Sequence, residues 1–355
     1  MRSTKTDLRN FDQQQLINYV QSLGQPGFRG KQIMVWLYRP GIVDFSEMTD
    51  LAKDFRKILA EEACISRFEN PRIERSADGC TKFAFVLDDD HLIESVLIPE
   101  PDRNTLCISS QVGCAMHCTF CLTGTMGFRR NLSPAEIVNQ VCAVRDYLLA
   151  MDPEQRIGPA RVTNLVYMGM GEPLNNLDNV LTSLAILTEP KGLDLTSRKI
   201  TVSTCGIVPK MREFGENTSV NLAISLHAVD DATRDMLMPV NNRYPMNELL
   251  QACRDYPMAR RRRIMFEYIL LAGINDSDAN ARTLAKKLRN IPCKINLLPY
   301  NECPELPYRS PGRERLLAFQ KILLDAHYSV FIRNSRGADI SAACGQLAGK
   351  ESATP

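Results

Sequence analysis

From Asp7 to about Ala63 the apolar positions recur with a helical period. Phe11, Leu16, Ile17, Val20 and Leu23 share one face and stop at the turn Gly24-Gln-Pro-Gly27. A second helix starts near Arg29, buries Ile33, Met34, Trp36 and Leu37, and ends before Pro40-Gly41. A third, from about Thr49, carries Leu51, Phe55, Ile58 and Leu59. Between about Ile73 and Pro99 the period shortens to two. Thr81–Leu87 and Leu92–Ile98, joined across Asp88-Asp-Asp-His91, predict a hairpin. Glu94 is the one carboxylate inside its second strand, and pattern alone leaves an exposed strand position as good a reading as a functional one.

From Leu106 onward, strand-like runs alternate with amphipathic helices. The strands are Leu106–Ser110, Asn164–Met168, Lys199–Ser203, Asn221–Leu226, Ile264–Leu271 and Lys294–Leu298. The clearest helix runs from Pro134 to about Leu149, with Ser133 as its cap, Pro134 in the first helical position and Glu136 completing a Ser-x-x-Glu box. That cap stabilises the helix by about 1 kcal/mol. Serial β-α units predict a parallel sheet, doubly wound or curled into a barrel. A doubly wound sheet usually carries a Gly-x-Gly-x-x-Gly loop after its first strand, whereas here that strand runs into a cysteine loop. The expectation is an α/β fold built on an incomplete, TIM-like (βα)6 barrel. Its parts are a helical accessory domain over 1–70, a hairpin linker over 71–105 carrying Glu94, a core over 106–330, and a C-terminal segment over 331–355 carrying Cys344.

Composition narrows the class. The 355 residues are 44% apolar and 24% charged, as in an ordinary globular protein, and the formal charge of +2 argues neither for nor against a nucleic-acid partner. The opening MRSTKTDLRNFDQQQ lacks the apolar core of a signal peptide, and no run reaches about 18 uninterrupted apolar residues. A cytoplasmic protein with no membrane association is expected. Its twelve cysteines are then reduced thiols or metal ligands. The basic runs Arg129-Arg130 and Arg260-Arg-Arg-Arg263 suit RNA phosphates, and equally suit solvated ends of elements.

The candidate chemistry centres on Cys114-Ala-Met-His-Cys118-Thr-Phe-Cys121, three cysteines in eight residues with no fourth nearby. Structural zinc sites and ferredoxin clusters take four protein ligands. Three thiolates therefore suit a four-iron cluster with one iron left open, or a zinc knuckle completed by His117. Phe120 is placed to cover such a site. Further candidates follow the strands: Gly169-Met-Gly171-Glu172 after the second, Ser203 at the end of the third, Ser225-Leu226-His227 at the end of the fourth and Asn301 after the sixth. Carboxyl ends of parallel-barrel strands carry the chemistry, so these residues are expected to share one pocket. Taken singly, Gly-x-Gly is commonly a turn and His227 a satisfied core histidine.

The cysteine spacing, with an aromatic before the last cysteine, resembles the cluster motif of the radical S-adenosylmethionine (SAM) superfamily. The surrounding SSQVGCAMHCTFCLTGTMGFRRNL resembles its RlmN/Cfr-type RNA methyltransferases, and the likeness extends from about Phe28 to Gly349. The resemblance implies a [4Fe-4S] cluster on Cys114, Cys118 and Cys121 with SAM on the open iron, and two SAM molecules per turnover. Gly171 and Glu172 would approach the SAM amino group. Ser203, Ser225, Leu226, His227 and Asn301 would hold its carboxylate, ribose or adenine. Cys344, in Ile340-Ser-Ala-Ala-Cys-Gly-Gln-Leu347, would carry the methyl group. Cys107 would resolve the RNA adduct through a transient disulfide with Cys344, and Glu94 would accept the ring proton. Cys64, Cys80, Cys142, Cys205, Cys253, Cys293 and Cys303 receive no role.

The implied substrates are an adenosine of 23S rRNA at the peptidyl transferase centre and the adenosine 3′ of the anticodon in tRNA, both methylated at C2. The implied reductant is a one-electron donor such as flavodoxin or ferredoxin, and the implied state is a monomer. Cfr-type methylation at C8 uses the same residues, and RGADISAACGQLAG reads closer to the C2 branch. A sulfur-inserting radical enzyme would need a second tight cysteine motif, which the sequence lacks, and an activase is a more distant reading. A non-enzymatic Fe–S or zinc RNA-binding protein would show no SAM turnover. The chain closes on Lys350-Glu-Ser-Ala-Thr-Pro355, without the basic tail of some family members.

Overall fold

The computed structural model describes residues 5–259 and 261–348. Three helices, α1 (Gln13–Ser22), α2 (Phe28–Leu37) and α3 (Lys53–Glu62), pack Leu16, Val20, Ile33, Met34, Leu37 and Leu59 into a core with no exposed surface. Two short strands, β1 (Thr6–Asp7) and β2 (Ala63–Cys64), pair in parallel and close the ends of this unit.

The chain then builds a sheet with ten strands among the described residues. Its antiparallel part is β3 (Arg72–Arg75), β4 (Thr81–Val86), β5 (Leu92–Glu100) and β6 (Arg103–Cys107). A separate pair, β7 (Gln111–Gly113) and β8 (Phe128–Asn131), brackets the cysteine loop, whose short helix α4 spans Leu122–Thr125. The parallel part continues from β6 through β9 (Asn164–Tyr167), β10 (Ile200–Thr204), β11 (Asn221–Ser225), β12 (Ile264–Leu270), β13 (Cys293–Pro299) and β14 (Val330–Ile332). Between these strands run α5 (Pro134–Ala150), α6 (Leu177–Thr188), α7 (Val208–Asn217), α8 (Asp231–Leu237), α9 (Met246–Arg254), α10 (Asp278–Lys287) and α11 (Arg313–Asp325).

Register decides which side chains share a face, because paired residues point the same way and neighbours along a strand alternate. Tyr167, Val202, Leu222, Phe266, Tyr268 and Leu297 form the outer face; Tyr167 bonds Ser183 of α6 and Tyr268 stacks on Phe319 of α11. The inner face runs through Lys82, Val96, Cys107 and Val166 on one side of the sheet. It continues through Ser203 and Ala223, then Ser225, Glu267 and Asn296. Glu94, two residues before Val96, joins the same face.

The six expected core strands form with ends shifted by a few residues, and a capping box on Ser133 and Glu136 starts α5. The first core strand begins at Arg103, earlier than the pattern shows, because it pairs with the hairpin. The hairpin is thus not a detached linker: it extends the barrel sheet at one edge. A seventh parallel strand, β14, was not expected and straddles the boundary placed at residue 330.

The basic runs are engaged elsewhere. Arg130 forms ion pairs with Asp89 and Glu136, at 2.5 and 2.8 Å. Arg262 donates to Asn221 at 2.7 Å and Arg263 to Ser329 at 3.2 Å, at the amino ends of the strands and away from the cysteine loop. Arg260 and residues 349–355 lie outside the described residues. Among the described residues no helix is long and apolar enough to cross a membrane.

Arg9 joins the helical unit to the core. It is 4% exposed and donates to the carbonyls of Leu37 and Ser66, both at 2.9 Å, and to Asn139 of α5 at 2.7 Å. Removing a buried charged donor strands its acceptors, a cost of about 2–3 kcal/mol. Arg9→Met is expected to lower the denaturation midpoint accordingly and to speed proteolysis between the helical unit and β3. An unchanged cleavage rate would show that packing alone holds the unit.

Candidate active site

The cysteine loop is pinned at its base. Gly113 has φ +71°, and a side chain there would place Cβ 1.9 Å from the Gly127 carbonyl, which accepts the Cys114 N–H at 3.0 Å. Only glycine permits that closure of β7 on β8. Beyond it, Cys121 caps α4 and bonds the Cys118 carbonyl through its own N–H at 3.2 Å. Burial pushes the Cys114 thiol up to about 12 and the Cys118 thiol well above its usual value, with the neighbouring cysteines and Glu172 adding to the effect. Burial also raises Cys121, against N–H groups of Gly124 and Thr123 that favour its thiolate; the Met116 N–H does the same for Cys114. Three partly buried, mutually repelling thiols, two of them with amide donors on their sulfurs, suit cationic metal, which reverses the cost of ionising them. Among the described residues no three His, Cys, Asp or Glu side chains converge on a single ion position.

Behind the loop sits Gly171 (φ +98°), where Cβ would lie 2.5 Å from the Gln111 side chain. This close approach lets the Glu172 N–H reach Gln111 Oε1 at 2.8 Å. The Glu172 carboxylate, 4% exposed, accepts the N–H groups of Leu174 at 3.0 Å and Cys205 at 2.8 Å. Burial raises its carboxyl, and those amides oppose the rise. Beneath the loop Arg234, 1% exposed, binds the carbonyls of Cys205, Ser225 and Leu226, at 2.7, 3.2 and 3.2 Å. One guanidinium thereby ties together the ends of β10 and β11.

His227 is more structural than its place in the motif suggests. Its Nδ1 accepts the Ile269 N–H at 3.0 Å, and its ring meets the edge of Phe120 at 5.0 Å between centroids. Burial first, then the charge of Arg234, lowers its pKa from 6.5 to about 3. Ser203 and Ser225 stand on the inner face at the carboxyl ends of their strands, and Leu226 bonds the Glu267 carbonyl through its N–H at 3.1 Å. Asn301 donates to the Cys344 carbonyl at 3.1 Å and accepts from Ser335, so it holds the C-terminal segment in this structure.

After β14, that segment has only a short 3-10 turn among the described residues, Ala338–Ile340, and lies across the barrel mouth. The Gly345 carbonyl accepts the Leu122 N–H at 2.7 Å, the Leu347 carbonyl accepts the Thr123 hydroxyl at 2.6 Å, and the Ala348 N–H donates to Glu94 at 2.9 Å. Lys82 donates to the Ile340 carbonyl at 2.7 Å and stands 3.6 Å from Glu94. Glu94 is 5% exposed, which overturns the exposed-strand reading. Cys344 thereby comes within electrostatic reach of Cys107, Cys121 and Glu267. Cys344 is open to solvent, yet burial leads the rise of its thiol to about 11. Cys107 is buried, and its thiol is raised by burial and then by Cys344.

Lys82, Arg234, Glu267 and Asn296 belong to this neighbourhood and were not singled out from the sequence. The signal for two of them was present: Glu267 and Asn296 are lone polar residues inside apolar strand runs, the pattern that drew attention to Glu94.

A six-unit parallel core with a three-cysteine loop after its first strand defines a radical SAM enzyme. Residues 108–284 match the Radical SAM superfamily, and residues 6–65 match the Ribosomal RNA large subunit methyltransferase N-terminal domain. The chain is 71% identical to the dual-specificity RNA methyltransferase RlmN of Desulfotalea psychrophila, over 98% of this chain and 96% of that one. It is 51% identical to the protein of the same name from Geobacter sulfurreducens, over 98% and 93%. The crystal structure of a radical SAM methyltransferase from Sphaerobacter thermophilus superposes with a TM-score of 0.88 at 42% identity, covering 97% of this chain and 100% of that one. The chain belongs to the RlmN family of SAM-dependent RNA methyltransferases.

The depressed His227 pKa makes stability pH-dependent. The unfolded chain takes up this proton below about 6.5 and the folded chain only below about 3, so stability is full above 6.5 and falls as pH drops through that window. Between pH 7 and pH 5 the loss from this group is about 2 kcal/mol. His227→Asn, whose amide oxygen can take the Ile269 N–H, is expected to flatten the acid limb of anaerobic denaturation midpoints by that amount. Parallel limbs for both proteins would place the acid sensitivity elsewhere.

Proposed function

We propose that this enzyme methylates C2 of an adenosine in 23S rRNA and of the adenosine 3′ of the anticodon in tRNA, with Cys344 as the carbon carrier. It works as a cytoplasmic monomer fed by a one-electron donor of the flavodoxin or ferredoxin type. The observation that carries the reading is the docking of the Cys344 segment on the cysteine loop, which brings Cys344, Cys107 and Glu94 together at one barrel mouth. The RlmN name of the similar proteins supports the C2 branch and two classes of RNA.

C2 of adenine lies between two ring nitrogens and is too electron-poor to attack a sulfonium methyl. Cys114, Cys118 and Cys121 would hold the cluster, and Gly171, Glu172, Ser203, Ser225–His227 and Asn301 would surround SAM. When bound, the cluster supplies the one-electron reduction of SAM that makes an inert C–H bond reactive. The chain's own residues do the rest. The Cys344 sulfur takes a methyl group from one SAM and presents it to the ring. Glu94, buried beside Lys82, takes the C2 proton once the carbon is attached, exchanging the Ala348 N–H for the substrate. The Cys107 thiol then attacks the Cys344 sulfur, frees the methylated nucleoside and leaves a disulfide that two electrons reopen.

Nucleoside mass spectrometry of rRNA and tRNA from a strain lacking the gene tests the assignment: 2-methyladenosine should vanish from both and return on complementation. Recovery of 8-methyladenosine instead would move the enzyme to the other branch. Glu94→Gln is expected to keep a methylated Cys344 while losing about 10²-fold or more in product formation, as for removal of a general base. Full RNA methylation by that variant would reduce Glu94 to an anchor for Ala348. Cys107→Ala should copurify with RNA attached through a denaturant-resistant bond, and Cys107→Ala/Cys344→Ala with none. RNA-free Cys107→Ala with normal product would mark Cys107 as a packed core thiol.

A further inference from the structure

Lys82 stands beside the base in that sequence of steps without a task of its own. It lies on β4 and is 7% exposed. Register sets it opposite Glu74 of β3 and diagonal to Glu94 of β5, since Lys82 pairs with Val96 and Glu94 with Ala84. Its ammonium is 3.4 Å from Glu74 Oε2 and 3.6 Å from Glu94 Oε1, and it donates to the Ile340 carbonyl at 2.7 Å. The rim of the hairpin, the proposed base and the backbone ahead of Cys344 thus meet on one cation.

Both backbones around this cation are anchored independently of it. Residues 336–340 are docked on the β3–β4 turn: the Gly337 N–H donates to Asp78 at 2.8 Å, and Asp339 accepts the Ala77 N–H at 3.0 Å. Ile340 therefore offers its carbonyl to Lys82 from a fixed position. The Glu94 carbonyl accepts the Ser109 hydroxyl at 2.6 Å, which fixes the strand at that point. What these anchors leave to be set is the direction of the Glu94 side chain. Its Oε2 holds the Ala348 N–H at 2.9 Å, the contact that substrate must displace to meet the carboxylate. A buried carboxylate that gives up an amide turns toward whatever partner remains, because burying a charge without one is costly. Lys82 faces the other oxygen and is held by Ile340, so it stays when the amide leaves.

We propose that Lys82 is the positioning residue for Glu94: it holds Oε1 while Oε2 passes from the Ala348 N–H to the substrate. The bond to Ile340 keeps the ammonium from withdrawing to Glu74, the half-buried rim carboxylate that competes for it. The carboxylate is thereby aimed into the mouth at the moment its own hydrogen bond is given up. The same cation ties the base to the segment that carries Cys344, so base and carrier keep one spacing through the exchange. The inference rests on the proton-acceptor role of Glu94 proposed above.

The test is a double-mutant cycle on reconstituted holoenzyme, read as methylated RNA formed per methylated Cys344, the latter counted by peptide mass. Lys82→Met keeps the length of the side chain and loses its charge and donor. It is expected to lower kcat at saturating RNA by about 10²-fold, as for misplacement of a reacting group. Lys82→Arg, which keeps a cation and a donor, is expected to recover part of the rate. In a Glu94→Gln background Lys82→Met should cause no further loss, because a residue acting through Glu94 has nothing left to position. Losses that multiply would overturn the proposal. Wild-type kcat in Lys82→Met would overturn it too, leaving the lysine a packed neighbour, and a loss confined to KM for RNA would do so by making it an RNA contact. Should Lys82→Met fail to hold iron, the cycle is run with Lys82→Arg. A partial loss in the presence of Glu94 and none in Glu94→Gln supports the proposal, and equal losses in both overturn it. Glu94→Gln enzyme with full activity removes the proton-acceptor role itself, and this inference with it.

Discussion

A segment with almost no secondary structure must be held across an open barrel mouth to within bonding distance of the chemistry. Backbone hydrogen bonds do this. The Gly345 and Leu347 carbonyls accept from Leu122 and Thr123 of the cysteine loop, and the Ala348 N–H is taken by Glu94 on the opposite rim. Each bond contributes about 1 kcal/mol net. That is enough to set a position and weak enough to be exchanged for substrate. Asn301 and Lys82 add two contacts to the same backbone, at Cys344 and Ile340. The cysteine loop and Cys344 are therefore coupled, since distortion of the short helix after Cys121 would shift both donors that fix the segment around Cys344.

This coupling explains why the hairpin belongs to the barrel sheet. A carboxylate on a detached linker would move relative to the mouth. Pairing β4 on β5 and β5 on β6 extends the inner face without a break, so Glu94 and Lys82 keep a fixed register to Cys107. Arg234 performs the matching task on the other side by binding the ends of β10 and β11 beneath the loop. It is a buried cation within electrostatic reach of Cys205 and Cys118.

Much of this was legible from residue patterns. The period of two found the hairpin, the alternation of strands and helices found the six core strands, and the spacing of three cysteines found the loop. What pattern could not reach was pairing. Arg103–Asn104 turn back on Pro99 and Glu100 without an alternating pattern of their own, and the short Val330–Ile332 is a strand only through β13, far back along the chain. Pairing also decides what a basic run does: Arg130 is basic in sequence and ion-paired in space with Asp89 and Glu136. His227 fits the core-histidine alternative that its sequence left open, with Nδ1 on the Ile269 N–H and the ring against Phe120.

The inner face carries two buried carboxylates whose surroundings differ. Glu94 has a lysine at 3.6 Å and the Ala348 amide on Oε2. Glu267 has one amide on Oε1, a buried neighbour with an unsatisfied oxygen and Arg333 farther off, and burial raises its carboxyl. Among the described residues only Glu94 of the two is bonded to the segment that crosses the mouth. Because Ala348 lies just beyond Cys344 in the chain, a substrate that takes the Ala348 N–H's place on Glu94 frees the end of that segment, while the bonds of Gly345 and Leu347 to the cysteine loop keep the rest where it is. Access to Glu94 then asks only for local movement at the end of the segment, with the barrel left as it stands.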